Sequence, residues 1–160
     1  MLPMNKTHIY NTIVTWTGNK GSGTSGYRDY ERDHIVAVPQ KVDLACSSDP
    51  SFRGDPTRHN PEELFLSSIS SCHMLWYLHL CATAGVVVMG YEDSAVGIMV
   101  ETSTGAGYFE RVKLCPKVTI KDKSMEGRAI QLHKEAGKYC FIANSIKCII
   151  EYEVDIVVKH

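Results

Sequence analysis

Asn60-Pro61-Glu62-Glu63-Leu64-Phe65-Leu66-Ser67-Ser68-Ile69-Ser70-Ser71-Cys72-His73-Met74-Leu75-Trp76 is the stretch whose reading decides the fold. Asn60 is a good N-cap, Pro61 suits the first helical position, and Glu62 and Glu63 complement the positive end of the helix dipole. Gly85 ends the pattern just past Ala84, as a left-handed C-terminal residue does. The predicted helix has about 24 residues and a length of roughly 36 Å. After Leu64 it is apolar on almost every side, which places it centrally and largely buried.

Working outward, the chain from Thr7 to Val38 reads as strands around a turn at Gly18-Asn19-Lys20-Gly21-Ser22-Gly23. That glycine-rich turn lacks the Gly-Lys-Ser/Thr ending of a phosphate loop, and no helix pattern comes after it. Val42 to His59 is polar and reads as an ordered surface loop. Beyond the helix, Val86 to Met89 with Tyr91 to Glu101 reads as one β-rich segment, Tyr108 to Lys121 as its returning strand, and Ile149 to Val158 as a last strand. Ser124 to Ala136 reads as a second helix stopped by Gly137, and Cys140 to Ile146 as a further short one. The order β-β-β-α-β-β-α-α-β gives an α+β fold with helices on antiparallel sheet, as a single domain over 1–160. So apolar a helix needs more cover than this sheet supplies, and a homodimer in which each chain's strands wrap the other's helices provides it.

Composition narrows the function. Hydrophobic residues are 44% and charged residues 22% of the chain, with a formal net charge of −1. No basic field exists to attract nucleic acid. The N-terminus, from Met1 to His8, has no apolar export segment, and the near-apolar run Met74 to Met89 is too short to cross a bilayer. A cytoplasmic protein with reduced thiols is expected, and of its six cysteines no two form a C-x-x-C pair. A metal site is disfavoured, since His73 and His79 lack ligand spacing.

Chemistry falls to the thiols. Cys72 lies mid-helix, where burial raises a thiol's pKa, so a reactive Cys72 needs a neighbouring cation. Arg53 and Arg58 stand just upstream, and the four serines at 67, 68, 70 and 71 leave room beside the sulfur. Cys140, after Gly137, is expected near the start of a short helix, where free N–H groups favour a thiolate. Cys81, Cys115 and Cys148 read as core, and Cys46 as a loop bystander. The bland alternative is that every cysteine is inert packing.

Asn60-Pro61-Glu62-Glu63-Leu64, then small residues, then Cys72, resembles the OsmC/Ohr family of thiol peroxidases. The run Ala136-Gly137-x-x-Cys140-x-x-Ala143-x-Ser145 resembles that family's second cysteine region, and Trp16-Thr17-Gly18 is similar to its first strand. The resemblance covers nearly the whole chain. It implies an antioxidant enzyme of peroxide stress that reduces organic hydroperoxides to alcohols. Cys72 is then the peroxidatic residue, and Cys140 resolves its sulfenic acid as a Cys72–Cys140 disulfide. It further implies an external dithiol reductant of lipoyl type, no metal or organic cofactor, and an arginine and a glutamate that polarise the site. Glu62 matches the glutamate. Arg53 matches the arginine of the OsmC branch, and Arg28 is the alternative if the Ohr arrangement holds. The sequence departs from the family in Ser71-Cys72-His73-Met74 and in Phe141 after Cys140. A non-catalytic protein that binds a small hydrophobic ligand on the same fold is the rival reading.

Overall fold

The computed structural model describes residues 6–159. The expectation drawn from the first residues, Met1 to Asn5, falls outside that range. The chain divides into two compact units, residues 1–64 and 65–160.

In the first unit, β1 (Ile13–Trp16), β2 (His34–Ala37) and β3 (Leu44–Cys46) form an antiparallel sheet in that order. The glycine-rich turn lies between β1 and β2. Asn19 Oδ1 accepts from the N–H groups of Gly21 and Gly23 at 2.8 and 3.0 Å. Both glycines have positive φ, which they adopt without steric cost. Gly18 is obligatory for another reason, since a Cβ there would lie 2.0 Å from the Glu31 carbonyl oxygen. The Val42–His59 stretch is more regular than its polarity suggests. It contains β3, with Cys46 buried, and a 3-10 turn at Pro50–Phe52 capped by Asp49.

Helix α1 (Pro61–Thr83) opens with a reciprocal cap. Asn60 Oδ1 accepts from the Glu63 N–H at 2.8 Å, and Glu63 Oε2 accepts from the Asn60 N–H at 3.2 Å, so two orphan donors are satisfied. At the other end Gly85 is left-handed, φ 75°. Its N–H bonds the Ala82 carbonyl and the Val86 N–H bonds that of Cys81, the paired closure of a glycine-ended helix.

The second unit contains β4 (Val88–Asp93), β5 (Val96–Glu101), β6 (Gly107–Leu114), β7 (Pro116–Ile120), α2 (Glu126–Tyr139), β8 (Ile149–Tyr152) and β9 (Asp155–Val158). Each predicted long strand is thus two strands that serve two sheets, β4-β7-β9 and β5-β6-β8. The breaks have local causes. Pro116 has no N–H to donate and stands as the first residue of β7, a place a strand tolerates proline, so β6 ends before it. Asp93 then holds the corner: its Oδ1 accepts from the Cys115 N–H at 2.7 Å and its Oδ2 from the Ser70 hydroxyl at 2.5 Å. The sheets are mixed rather than wholly antiparallel, because β8 and β9 add to β6 and β7 in parallel.

Ile69, His73, Tyr77 and Cys81, four residues apart, are the buried stripe of α1. Ile69 packs with Val112 and Leu114 in one core, and Tyr77 and Cys81 with Val118, Ile120, Leu132 and Ala136 in a second. His73 lies between them. The opposite stripe, Ser67, Ser71, Leu75 and His79, is exposed, with Leu75 at 63%. The prediction of a helix covered all round is therefore corrected for the single chain.

Candidate active site at the seam of two cores

Cys72 projects from the middle of α1, and Cys140 stands at the C-terminal end of α2. Sixty-eight positions apart in sequence, they are neighbours in the fold, close enough for the Cys72 side chain to act on the Cys140 thiol. Cys72 is half-buried and Cys140 fully buried.

The setting of Cys140 differs from the sequence expectation. It does not begin a helix. Its N–H still bonds the Ala136 carbonyl as the last link of α2, and the chain beyond it makes only a 3-10 turn at Ala143–Ser145. The dipole at that end opposes a thiolate. Burial first, then the neighbouring Cys72 side chain, push the Cys140 thiol up to about 11. The N–H of Ala143 reaches its sulfur at 3.4 Å and, with that of Ile142, offsets only part of the rise. Cys140 is a thiol at neutral pH, and no cation is among the groups that act on it.

Gly137 does not stop α2, which runs on to Tyr139. Its role is to admit Tyr152, whose hydroxyl would lie 2.7 Å from a Cβ at that position. Tyr152 is shifted upward by burial and next by Cys140, and its ring packs at a tilt against His73, with centroids 4.8 Å apart. An aromatic group flanks the thiols on another side. Trp76, one turn after Cys72, packs on Tyr139 at 5.2 Å and Phe141 at 5.6 Å. A hollow of about 220 Å³ opens beside Leu75, Trp76 and His79. A second of about 340 Å³ lies against Ser70, Ser71, Met74 and Asp93.

Sequence reasoning overlooked His133. It is 1% exposed on the apolar stripe of α2 with Ala129, Leu132 and Ala136. Its Nδ1 lies 3.0 Å from His73 Nε2. Burial holds His73 down to about 4 and His133, with His73 beside it, to about 3. Both rings are therefore neutral at pH 7, so one donates and the other accepts. A signal existed in the spacing: one histidine comes directly after Cys72, and the other precedes Cys140 by two helical turns.

Arg53 and Glu62 belong to the first unit. Arg53 is left-handed, φ 67°, and exposed, with its guanidinium 5.8 Å from the Tyr27 ring centroid. Arg58 is held by Asp33 and Asp55, and Arg32 is stacked on Tyr27 and Tyr30. Arg28 is exposed. Glu62 is half-buried, and its Oε2 is buried with no hydrogen-bond partner among the described residues. A buried bare carboxylate oxygen is costly and calls for a donor.

Among the described residues no group of three or more His, Cys, Asp or Glu could hold a metal ion, and no helix is long and apolar enough to cross a membrane.

Several known proteins resemble this chain. The model of the OsmC-like protein family matches residues 54–155. A solved structure described as an OsmC-like protein of unknown function, from Vibrio cholerae, is 30% identical with a TM-score of 0.82. The match covers 92% of this chain and 99% of that one. An organic hydroperoxide resistance protein from Elizabethkingia anophelis superposes with a TM-score of 0.64 at 16% identity, covering 96% of this chain and 100% of its own. One from Legionella pneumophila gives 0.63 at 15%, covering 94% and 99%. The last two likenesses are of fold alone. No curated protein matches the sequence. The family model spans well over half of the 160 residues and includes the Asn-Pro-Glu-Glu start of α1, both thiols and the strands that flank them: the chain belongs to the OsmC family.

Proposed function

We propose that this chain is a two-cysteine thiol peroxidase that reduces organic hydroperoxides to alcohols. The observation that carries the reading is the proximity of Cys72 on α1 to Cys140 at the end of α2, near enough for the one side chain to shift the other thiol. The Cys72 thiolate attacks the distal peroxide oxygen, the O–O bond breaks, and the alkoxide leaves with a proton as the alcohol. Cys72 is then a sulfenic acid. Cys140 enters as a thiol, its sulfur bonds Cys72, and its proton leaves with the hydroxyl as water. An external dithiol, of lipoyl type, reduces the disulfide by exchange. No metal or organic cofactor takes part.

Cys72 is the peroxidatic residue because it is the less buried of the two. Arg53 supplies the cation that its thiolate needs, and Glu62 orients that guanidinium. Arg53 is the better candidate than Arg32 or Arg58, whose guanidinium groups are already engaged. The working form is a cytoplasmic homodimer, supported by the exposed Leu75 stripe on α1. Glu62 and Cys72 are ten residues apart, about 15 Å along one helix, so Glu62 serves the site of the partner chain.

One equivalent of cumene hydroperoxide should consume two thiols per chain and leave a Cys72–Cys140 link on peptide mapping. No thiol loss would favour the ligand-binding rival, and Cys72 joined to another cysteine would overturn the pairing. Sharing of the site is tested by mixing Cys72→Ser chains with Glu62→Ala chains. Activity recovered in the mixed dimer supports a shared site, because one site then has Cys72 from one chain and Glu62 from the other. Background activity with heterodimer confirmed by mass rules it out.

A further inference from the structure

We propose that His73 and His133 are positioning residues: their buried hydrogen bond fixes α1 against α2 so that Cys140 lies within reach of an oxidised Cys72. The inference rests on the peroxidase reading above and extends it to the second chemical step.

The geometry is compact. His73 comes directly after Cys72 on α1, and His133 is seven residues before Cys140 on α2, about 10.5 Å along that helix. Their nitrogens meet at 3.0 Å and each residue is 1% exposed. Neighbouring rings hold both in place. Tyr77 stacks on His133 at 3.7 Å, and Tyr152 packs at a tilt against His73 at 4.8 Å. The remaining nitrogens, His73 Nδ1 and His133 Nε2, have no hydrogen-bond partner among the described residues.

Packing does not account for this pair. Two apolar side chains would fill the same space without leaving buried nitrogens bare. What apolar contacts lack is direction: helices packed through methyl groups can slide and turn, whereas a hydrogen bond between stacked rings tolerates little of either.

Direction matters most after Cys72 becomes a sulfenic acid, when two fates compete. Attack by Cys140 forms the disulfide and releases water. Attack on a second hydroperoxide breaks its O–O bond, passes one oxygen to sulfur to give sulfinic acid, and releases a second alcohol. The first fate is intramolecular and depends on sulfur placement. The second does not.

The test measures that partition. Reduced protein is treated with cumene hydroperoxide at rising excess, and intact mass with peptide mapping gives the disulfide and sulfinic shares of Cys72. His133→Phe keeps the ring stack and removes the nitrogen. It should raise the sulfinic share about tenfold at fixed excess, as a misplaced reacting group does, with the rate of the first oxidation unchanged. His133→Asn sets an amide where Nδ1 lay, and His73→Gln sets one where Nε2 lay. Both should stay near wild type. A wild-type partition in His133→Phe overturns the proposal, and so does a sulfinic share in His133→Asn equal to that of His133→Phe, which would mean packing alone. If His133→Phe does not fold, His73→Phe breaks the same bond from α1 and is read in the same way. Wild-type protein that loses no thiols to peroxide would instead overturn the peroxidase reading itself.

Discussion

Mild acid should destabilise this protein at a pH where its carboxylates are still ionised. His73 and His133 are each 1% exposed and neutral when folded, with pKa values held to about 4 and about 3 against an ordinary 6.5. The rings around them belong to Tyr77, Tyr91 and Tyr152. The one charged group acting on them is Asp93, which raises His73 and is outweighed by burial. The unfolded chain therefore binds protons that the folded chain refuses, and stability falls as pH falls. The contribution is complete above 6.5 and erodes from there down through 4 and 3. At pH 5 the deficit is 1.5 units for each ring, or about 2 kcal/mol each at 1.36 kcal/mol per unit. The sum of about 4 kcal/mol is a large part of the 5–15 kcal/mol that holds a typical domain.

Urea denaturation at pH 7.5, 6 and 5 measures it directly. The midpoint should fall continuously through that range, with most of the loss between 6 and 5. His133→Asn should lose only about half as much, because one of two titrating groups is gone. The carboxylates that the fold holds below their usual range, Glu31, Asp49, Asp55, Asp122 and Glu153, lose their contribution below this window, so they do not confuse the result. A wild-type stability that changes by less than about 1 kcal/mol between pH 7.5 and 5 would show that the pair is not held neutral by burial.

Single contacts give further expected outcomes. Arg53→Ala should slow peroxide reduction by more than about tenfold if a guanidinium supports the Cys72 thiolate. If Arg28→Ala does so instead and Arg53→Ala does not, the arginine is misplaced. Alkylation of Cys140 in the reduced protein should be slow at pH 8 and rise toward its pKa of about 11, read by mass after timed iodoacetamide labelling; saturation near pH 8 would contradict its burial. Gly137→Ala should lower thermal stability measurably, since its Cβ would lie 2.7 Å from the Tyr152 hydroxyl, whereas Gly127→Ala, with nothing within 4 Å, should stabilise α2 slightly.

The elements that carried strong local signals were legible. Asn60-Pro61 and Gly85 bracket α1 to within a residue because capping is short-range chemistry that the sequence spells out. The break after Trp16 at Gly18–Gly23 was legible for the same reason, but the strands that flank it are shorter than their pattern suggests, and β2 begins only at His34. What was lost lay in tertiary context. β-rich residues on both sides of Pro116 hide the change of sheet, and only the missing N–H of proline marks it. The three residues of β3 pair because β2 offers an open edge, which no count of polar neighbours reveals. Gly137 by its type points to a helix stop, whereas it is small so that Tyr152 can approach. Parallel pairing of β8 and β9 is set by where α2 returns the chain, not by the strands' own residues.

The candidate site shows the same division. Cys72 and Cys140 stood out by their local surroundings, but the cause of Cys140's behaviour did not. Its position relative to the helix dipole depends on whether α2 ends before or after it, a matter of three residues. An N-terminal position would favour a thiolate, while at the observed C-terminal position burial, and next the neighbouring Cys72, push the thiol up to about 11. That difference assigns the roles within the proposed reaction. A buried thiol that stays protonated is a poor first nucleophile and a good donor to a neighbouring sulfur. On the proposed reading it reacts only once Cys72 carries a hydroxyl ready to leave with its proton. Burial of Cys140 would then hold back its attack until after the peroxide has reacted, ordering the two proposed steps without a moving part.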